Sequence, residues 1–127
     1  MKILVADDEP AIREIAEELL AAAGYTVLLA EDGEQALRLV HAELPDLILL
    51  DLMLPKMTGF HVLQEVRKTP RVAKIPILIL SVLVSGEDTD ASIHELDVTG
   101  FIDKSEFVTS LVSRVQEILS GQAHRVA

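Results

Sequence analysis

Short apolar runs alternate along this chain with segments of helical periodicity, and this alternation restricts its fold more than any other feature. Apolar runs at Lys2–Ala6, 25–30, 47–50, 77–82 and Gly100–Asp103 predict five strands. The third run is apolar at every position, as expected for a strand buried on both faces of a parallel sheet. The pattern therefore predicts a doubly wound α/β fold with five parallel strands.

The segments between these runs predict helices. Pro10 suits the first turn of the first helix, and Gly24 follows its end. Asp32 and Thr58 are the predicted N-caps of the second and third helices, and residues 86–97 predict a weak fourth helix. The apolar positions expected to face the core are Ile12, Ile15, Ala16, Leu19 and Ala23 in the first helix, and Phe107, Leu111, Val115, Ile118 and Leu119 in the last.

The last helix sets the boundary of the predicted domain. Ser105 is expected to cap this helix and Gly121 to end it. Residues 1–121 are therefore predicted to form one domain, with residues 122–127 as a disordered tail. The full length of 127 residues is that of one ordinary domain.

Composition disfavours several classes of protein. The chain has no cysteine, which excludes a disulfide framework or a thiolate metal site. A net charge of −10 should repel nucleic acid and anionic lipid, so no direct nucleic-acid binding is expected. No apolar run reaches the roughly 18 residues of a membrane span, and no secretory signal follows Met1. We expect a cytoplasmic protein without membrane insertion.

Polar side chains stand at the ends of four predicted strands. Asp7 and Asp8 follow the first strand, and Asp51 ends the third. Ser81 lies at the end of the fourth strand, and Lys104 follows the fifth. Functional groups of doubly wound sheets gather beyond the carboxyl ends of the strands. Taken singly, each of these residues is more simply explained as a helix cap, a turn residue or a solvated side chain. Together, they are expected to meet at one edge of the sheet.

Clustered carboxylates repel one another, so either one is protonated or a cation lies among them. An oxygen-only cluster suits Mg²⁺, and no His or Cys stands at a matching strand end to favour Zn²⁺. A carboxylate can also attack phosphorus and form an aspartyl phosphate. Asp51 is the predicted acceptor, with Mg²⁺, Lys104 and the Ser81 hydroxyl each able to contact a phosphoryl oxygen.

The sequence resembles the receiver domain of two-component response regulators over nearly its whole length. The likeness is carried by residues 5–10 (VADDEP), 47–55 (LILLDLMLP), 58–59 (TG), 79–81 (ILS) and 101–104 (FIDK). It implies a flavodoxin-like (βα)5 fold with strand order 2-1-3-4-5. It also implies that a histidine kinase, or a His-containing phosphotransfer protein, donates a phosphoryl group to this chain.

The resemblance assigns metal ligands as well as the acceptor Asp51. Asp7, Asp8, Asp51 and the backbone carbonyl of Met53 match the family's Mg²⁺ ligands. No acid occupies the position of Met53, two residues after Asp51, where small Mg²⁺ phosphatases of the aspartyl-phosphate type usually carry one. Such an enzyme is the alternative function, and an inert binding module is a third. The preferred reading is a signalling domain that is not an enzyme on external substrates.

The resemblance also implies a switch. Ser81 matches the switch hydroxyl, Lys104 the phosphate-binding lysine, and Phe101 the aromatic that turns inward. The face formed by the predicted helix 86–97, the strand Gly100–Asp103 and the last helix would then bind a downstream protein, or a second copy as a homodimer. No output domain follows in this chain, so it is either a stand-alone regulator or a receiver from a longer protein.

Three departures from the family pattern involve four positions. Ser105 stands where proline is usual, and Asp97 and Val98 replace a common Gly-Ala pair. Val82 stands where many members carry alanine or glycine. Because a bulkier side chain there would restrict access to Asp51, Val82 predicts slow autodephosphorylation.

Overall fold

Five parallel strands form the centre of the molecule. A computed structural model describes residues 1–81 and 97–126. Among these, the side chains of Ser81 and residues 122–126 are not described. The sheet has the order β2-β1-β3-β4-β5, which confirms the predicted flavodoxin-like topology. The strands are β1 (Lys2–Ala6), β2 (Thr26–Ala30), β3 (Leu47–Asp51), β4 (Ile77–Ser81) and β5 (Gly100–Asp103).

Helices cover both faces of this sheet. The described helices are α1 (Pro10–Ala22), α2 (Gly33–Glu43), α3 (Gly59–Lys68) and α4 (Phe107–Val126). Two predicted N-caps are confirmed: Asp32 accepts from the Gln35 amide at 2.8 Å, and Thr58 accepts from the His61 amide at 3.3 Å. The predicted helix 86–97 lies outside the described residues except for Asp97, and so does Val82. No helix in the described ranges is long and apolar enough to cross a membrane.

The sheet separates two apolar cores, one on each of its faces, and β3 lies at its centre. Every residue of β3 is buried, as its continuous apolar sequence predicts. The first core contains Ile48 and Leu50 together with residues of α2 and α3. The second contains Leu47 and Leu49 together with residues of α1 and α4. Successive side chains of one strand thus enter opposite cores.

The predicted inner faces are partly correct. In α4, Phe107, Leu111, Val115 and Leu119 are buried and Ile118 is half-buried. In α1, Ala16 and Leu20 are the fully buried residues, whereas Ala23 is exposed. The prediction for Ala23 is wrong because the helix ends at Ala22 and the chain turns at Gly24, whose φ of +98° is left-handed.

α4 differs from its predicted bounds at both ends. It begins at Phe107, and the Ser105 hydroxyl donates to Asp103 Oδ1 at 2.9 Å instead of capping the helix. An N-cap hydroxyl would accept from an amide of the first turn. Because the helix begins at Phe107, Ser105 lies too early to cap it, and its amide and hydroxyl both donate to the Asp103 carboxylate two residues earlier. The helix also continues past Gly121 to Val126, because glycine within a helix costs only about 1 kcal/mol and no proline follows. The domain limits 1–121 stay a prediction.

Candidate functional site

The carboxyl edge of the sheet collects acids from separate segments of the chain. Asp51 is the last residue of β3, and Asp7 comes directly after β1. β1 and β3 pair in parallel with Ala6 opposite Leu50. The residues that follow, Asp7 and Asp51, therefore also lie side by side. The Asp7 amide donates to the Ala30 carbonyl at 3.0 Å and so extends the β1–β2 ladder by one residue. The hydrogen bonds between these buried strands therefore fix the backbone positions of Asp7 and Asp51.

Three carboxylates meet at this edge. Asp7, Asp8 and Asp51 each offer one oxygen, and these oxygens all lie within 4.8 Å of one another. Asp7 and Asp51 are buried, whereas Asp8 is exposed. The cluster is therefore closed on the protein side and open to solvent at Asp8.

Backbone amides hold one oxygen of each buried acid. The Glu9 amide donates to Asp7 Oδ1 at 2.8 Å, and the Met53 amide donates to Asp51 Oδ1 at 2.9 Å. In both cases the donor lies two residues after the acid, as in an Asx turn. Each carboxylate is therefore oriented by its own loop, and its second oxygen, Oδ2, is free of the backbone.

Lys104 reaches into the cluster from the loop after β5. Its ammonium lies 2.9 Å from Asp7 Oδ2, 3.1 Å from Asp51 Oδ2 and 2.8 Å from Glu9 Oε1. Only 12% of the Lys104 side chain is exposed. The ammonium thus bridges two buried carboxylates and one carboxylate at the rim.

The charges of these groups depend on one another. Burial alone would lower the pKa of the Lys104 ammonium, but its contacts with Glu9, Asp7 and Asp51 outweigh burial and raise the pKa above its usual value. Burial raises the pKa of Asp7, and the neighbouring Asp51 charge adds to this effect. The Glu9 amide and the Lys104 ammonium act in the opposite direction on Asp7. Lys104 is therefore a permanent cation at this edge.

The acids fit a hard divalent cation. Asp7 Oδ2 is buried, and the Lys104 ammonium 2.9 Å away is the cation that faces it. That single ammonium is shared with Glu9 and Asp51, so one positive charge faces several carboxylates. Clustered carboxylate oxygens with access to water match the ligands that Mg²⁺ and Ca²⁺ prefer. The donor set is thus compatible with the predicted cation.

Two contacts of this site were missed by the sequence reasoning. Glu9, which the sequence did not assign to the site, binds Lys104. Arg13 of α1 donates from Nη1 to the Asp7 carbonyl at 2.8 Å, and its Nη2 lies 3.7 Å from Glu31 Oε2. Arg13 thereby ties the β1–α1 loop to the end of β2. Its only sequence signal was a single cation on an otherwise acidic helix.

The remaining predicted residues lie in the expected strands or loops. Met53 follows Asp51 by two positions, and its side chain is exposed. Phe101 is half-buried in β5, packs against the first core, and accepts a hydrogen bond from Arg114 Nη1 at its carbonyl at 3.1 Å. Ser81 ends β4 opposite Asp103 of β5, and its side chain is outside the described set. The structure thus brings Asp7, Asp8, Asp51 and Lys104 together, and places the backbone of Ser81 at the same edge.

Known proteins share this sequence and fold. The family model described as the response regulator receiver domain matches residues 3–116. The chain is 39% identical to the probable transcriptional regulator ycf27 of Guillardia theta over 93% of this chain and 45% of that protein. It is 38% identical to the DNA-binding dual master transcriptional regulator RpaA of Synechocystis over 93% of this chain and 48% of that protein.

A solved structure agrees with this match. The chemotaxis response regulator CheY4 of Vibrio cholerae superposes with a TM-score of 0.84 at 30% identity, covering 92% of this chain and 97% of that one. The chain spans just under half the length of ycf27 and RpaA, so it corresponds to one part of those proteins. The matched residues include every member of the acidic edge described above, and the chain belongs to the response regulator receiver domain family of two-component signalling.

Proposed function

We propose that this chain is a phosphoryl-accepting switch in which Asp51 receives a phosphoryl group from a histidine kinase or a His-containing phosphotransfer protein. The observation that carries the proposal is the Lys104 ammonium, 3.1 Å from Asp51 Oδ2 within a cluster of three carboxylates. This arrangement joins a nucleophile to a fixed cation and to ligands for a second cation. Phosphoryl transfer depends mainly on such positioning and charge compensation.

The transfer step needs no external base. Asp51 Oδ2, which accepts no backbone hydrogen bond, is the oxygen that we assign to attack phosphorus. The new bond joins this oxygen to phosphorus, the bond from phosphorus to the donor's histidine nitrogen breaks, and the imidazole leaves with a proton from solvent. Lys104 would hold one phosphoryl oxygen, since its raised pKa keeps it charged.

We assign the cation of this site as Mg²⁺. Asp7, Asp8 and Asp51 would hold it, together with the backbone carbonyl of Met53. When bound, it would neutralise charge on the phosphoryl oxygens. The three clustered carboxylates carry more negative charge than the single Lys104 ammonium can balance, which supports this assignment.

The phosphoryl group would change the partners that the domain binds. It adds about −1.5 to −2 charge and strong acceptor oxygens at Asp51. Lys104 and the Ser81 hydroxyl would turn to these oxygens, and Phe101 would turn inward. The face that includes β5 and α4 would then favour a downstream protein, as a population shift between two packings.

The output of this switch is a separate proposal. The names of ycf27 and RpaA describe those proteins as transcriptional regulators. Transcriptional control is therefore one candidate output. Because this chain carries a net charge of −10, another segment or another protein would have to contact DNA.

Labelling with acetyl phosphate tests the acceptor. We expect a mass increase of one phosphoryl group that needs Mg²⁺ and is lost in Asp51→Asn. Asp46→Asn is the matched control, because Asp46 lies exposed before β3, at the opposite edge of the sheet. Labelling that persists in Asp51→Asn would contradict the assignment.

Two further assays separate the alternative functions, a phosphatase and an inert binding module. A phosphatase would release phosphate repeatedly from an added phosphoester, and an inert module would bind neither beryllofluoride nor phosphate. The absence of an acid at Met53 argues against the phosphatase.

A further inference from the structure

The loop between β3 and α3, residues 52–58, lies directly against the first turn of α2. A Cβ atom at Gly33 would overlap the carbonyl oxygen of Met57 and lie 2.7 Å from the Met57 Cβ. The Gly33 amide also donates to the Pro55 carbonyl at 3.3 Å. The absence of a side chain at Gly33 therefore permits a backbone approach that any other residue would block.

Two further contacts hold the middle of the same loop. The Lys56 ammonium lies 3.7 Å from Asp32 Oδ2, and the Met57 amide donates to the Pro55 carbonyl at 2.7 Å. Lys56 has a φ of +65°, in the left-handed region that non-glycine residues adopt rarely. A non-glycine residue keeps such a conformation only where its surroundings determine it. The contacts with Asp32 and Gly33 supply those surroundings.

The two ends of the loop are fixed as well. The Gly59 amide donates to the Leu52 carbonyl at 3.0 Å, and a Cβ at Gly59 would overlap the Asp51 carbonyl oxygen. At the other end, the Met53 amide donates to Asp51 Oδ1 at 2.9 Å. The loop thus runs between fixed ends, and its contact with α2 decides the path between them.

We propose that Gly33 is a positioning residue for the cation site. It lets the start of α2 press the loop into the path that aims the Met53 carbonyl at the three carboxylates. Gly33 touches neither the cation nor the phosphoryl group, and it acts through Met57, Pro55 and the loop. The inference rests on the proposed function, because it takes the Met53 carbonyl as a ligand.

The test compares the Mg²⁺ affinity of Gly33→Ala with that of the unchanged protein, by calorimetry or by titration of backbone amide signals. A methyl group at Gly33 must push the Met57 backbone away, so we expect affinity to fall about tenfold, as when groups that orient metal ligands are lost.

Gly24→Ala is the matched control. Its φ of +98° makes alanine unfavourable there, but nothing lies within 4 Å of the added methyl group. We expect it to lower the stability of the fold, measured by denaturant unfolding without Mg²⁺, and to leave Mg²⁺ affinity unchanged. A merely structural role of Gly33 would give the same result as this control.

If Gly33→Ala does not fold, Lys56→Gln decides the question. Lys56 is largely exposed, so the variant should fold, and it removes the ion pair with Asp32. Removing the positive charge of Lys56 from the acidic edge would, by charge alone, raise the affinity for Mg²⁺. Displacement of the loop would instead lower this affinity. We expect a fall, and a rise or no change would overturn the inference.

Failure of the two proposals gives different results. If the unchanged protein binds no Mg²⁺, the metal site of the proposed function is wrong, and the inference falls with it. If the unchanged protein binds Mg²⁺ and folded Gly33→Ala binds it equally well, only the role of Gly33 is overturned.

Discussion

At the scale of single residues, the Lys104 ammonium has three carboxylate partners, and in the proposed phosphorylated state it would bind a phosphoryl oxygen as well. Its ammonium contacts Asp7, Asp51 and Glu9, and Glu9 is the most exposed of the three at 56% of its side chain. An incoming phosphoryl oxygen must replace one of these contacts. The contact with Glu9 is the easiest to break, because exposed ion pairs contribute little in water.

Glu9→Gln is therefore expected to increase the rate of labelling by acetyl phosphate by about two- to tenfold, which corresponds to roughly 0.4–1.4 kcal/mol of the barrier. The physical reason is that Lys104 keeps its contacts with Asp7 and Asp51 but loses the charged Glu9 carboxylate, which competes with the phosphoryl oxygen for the ammonium. The rate is measured at saturating Mg²⁺ by intact-protein mass.

The control for this prediction is Glu17→Gln, which removes the same charge from an exposed position of α1. An equal rate increase in both variants would mean that net charge, and not the contact with Lys104, limits the reaction.

At the scale of elements, the cap of α2 makes its stability depend on pH. The Gln35 amide, with a further contribution from Lys56, holds the pKa of Asp32 below its usual value. A carboxyl with a lowered folded pKa stabilises the fold above its unfolded pKa of about 3.9, and this stabilisation is lost as pH falls through the folded value.

Asp32→Asn is expected to remove part of the acid sensitivity, since Asn caps helices about as well but does not titrate. The measurement is the urea midpoint at pH 7 and at pH 3 for both proteins. The fall between the two pH values should be smaller in the variant, and an equal fall would contradict this role of Asp32.

The elements also show what local sequence can and cannot predict. β1, β5 and the caps Asp32 and Thr58 were predicted correctly, because apolar runs and capping side chains act over a few residues. Ser105 was not, since the helix begins two residues later and a local turn, in which the Ser105 amide and hydroxyl donate to Asp103, competes with capping. The acids and Lys104 could be assigned to one edge from topology. The contact of Gly33 with Met57 joins the start of α2 to a loop, and no local pattern reveals the path of that loop.

At the scale of the whole molecule, β1, β3 and β4 each place alternate side chains in both cores. β3 lies between the other two strands, so a defect in β3 affects both faces. Leu49 is fully buried in the second core. Leu49→Ala is expected to lower the free energy of unfolding by about 2–5 kcal/mol, through lost apolar contact and the cavity left behind. Chemical denaturation measures this loss.

Val108→Ala is the comparison for this prediction. Val108 is an apolar residue of α4 with 54% exposure, so its truncation should change stability by less than about 0.5 kcal/mol. Similar losses in both variants would show that the core does not depend on β3 as described.

The parallel sheet also gives the molecule two unequal ends. Within residues 1–81, the turns that lead from a helix into a strand, such as residues 44–46 before β3, lie at the edge opposite Asp51. A five-residue strand separates the two edges by about 16 Å at roughly 3.3 Å per residue. A fluorescent dye attached to an exposed side chain of such a turn, for example at Leu44, would therefore lie well away from the acidic edge.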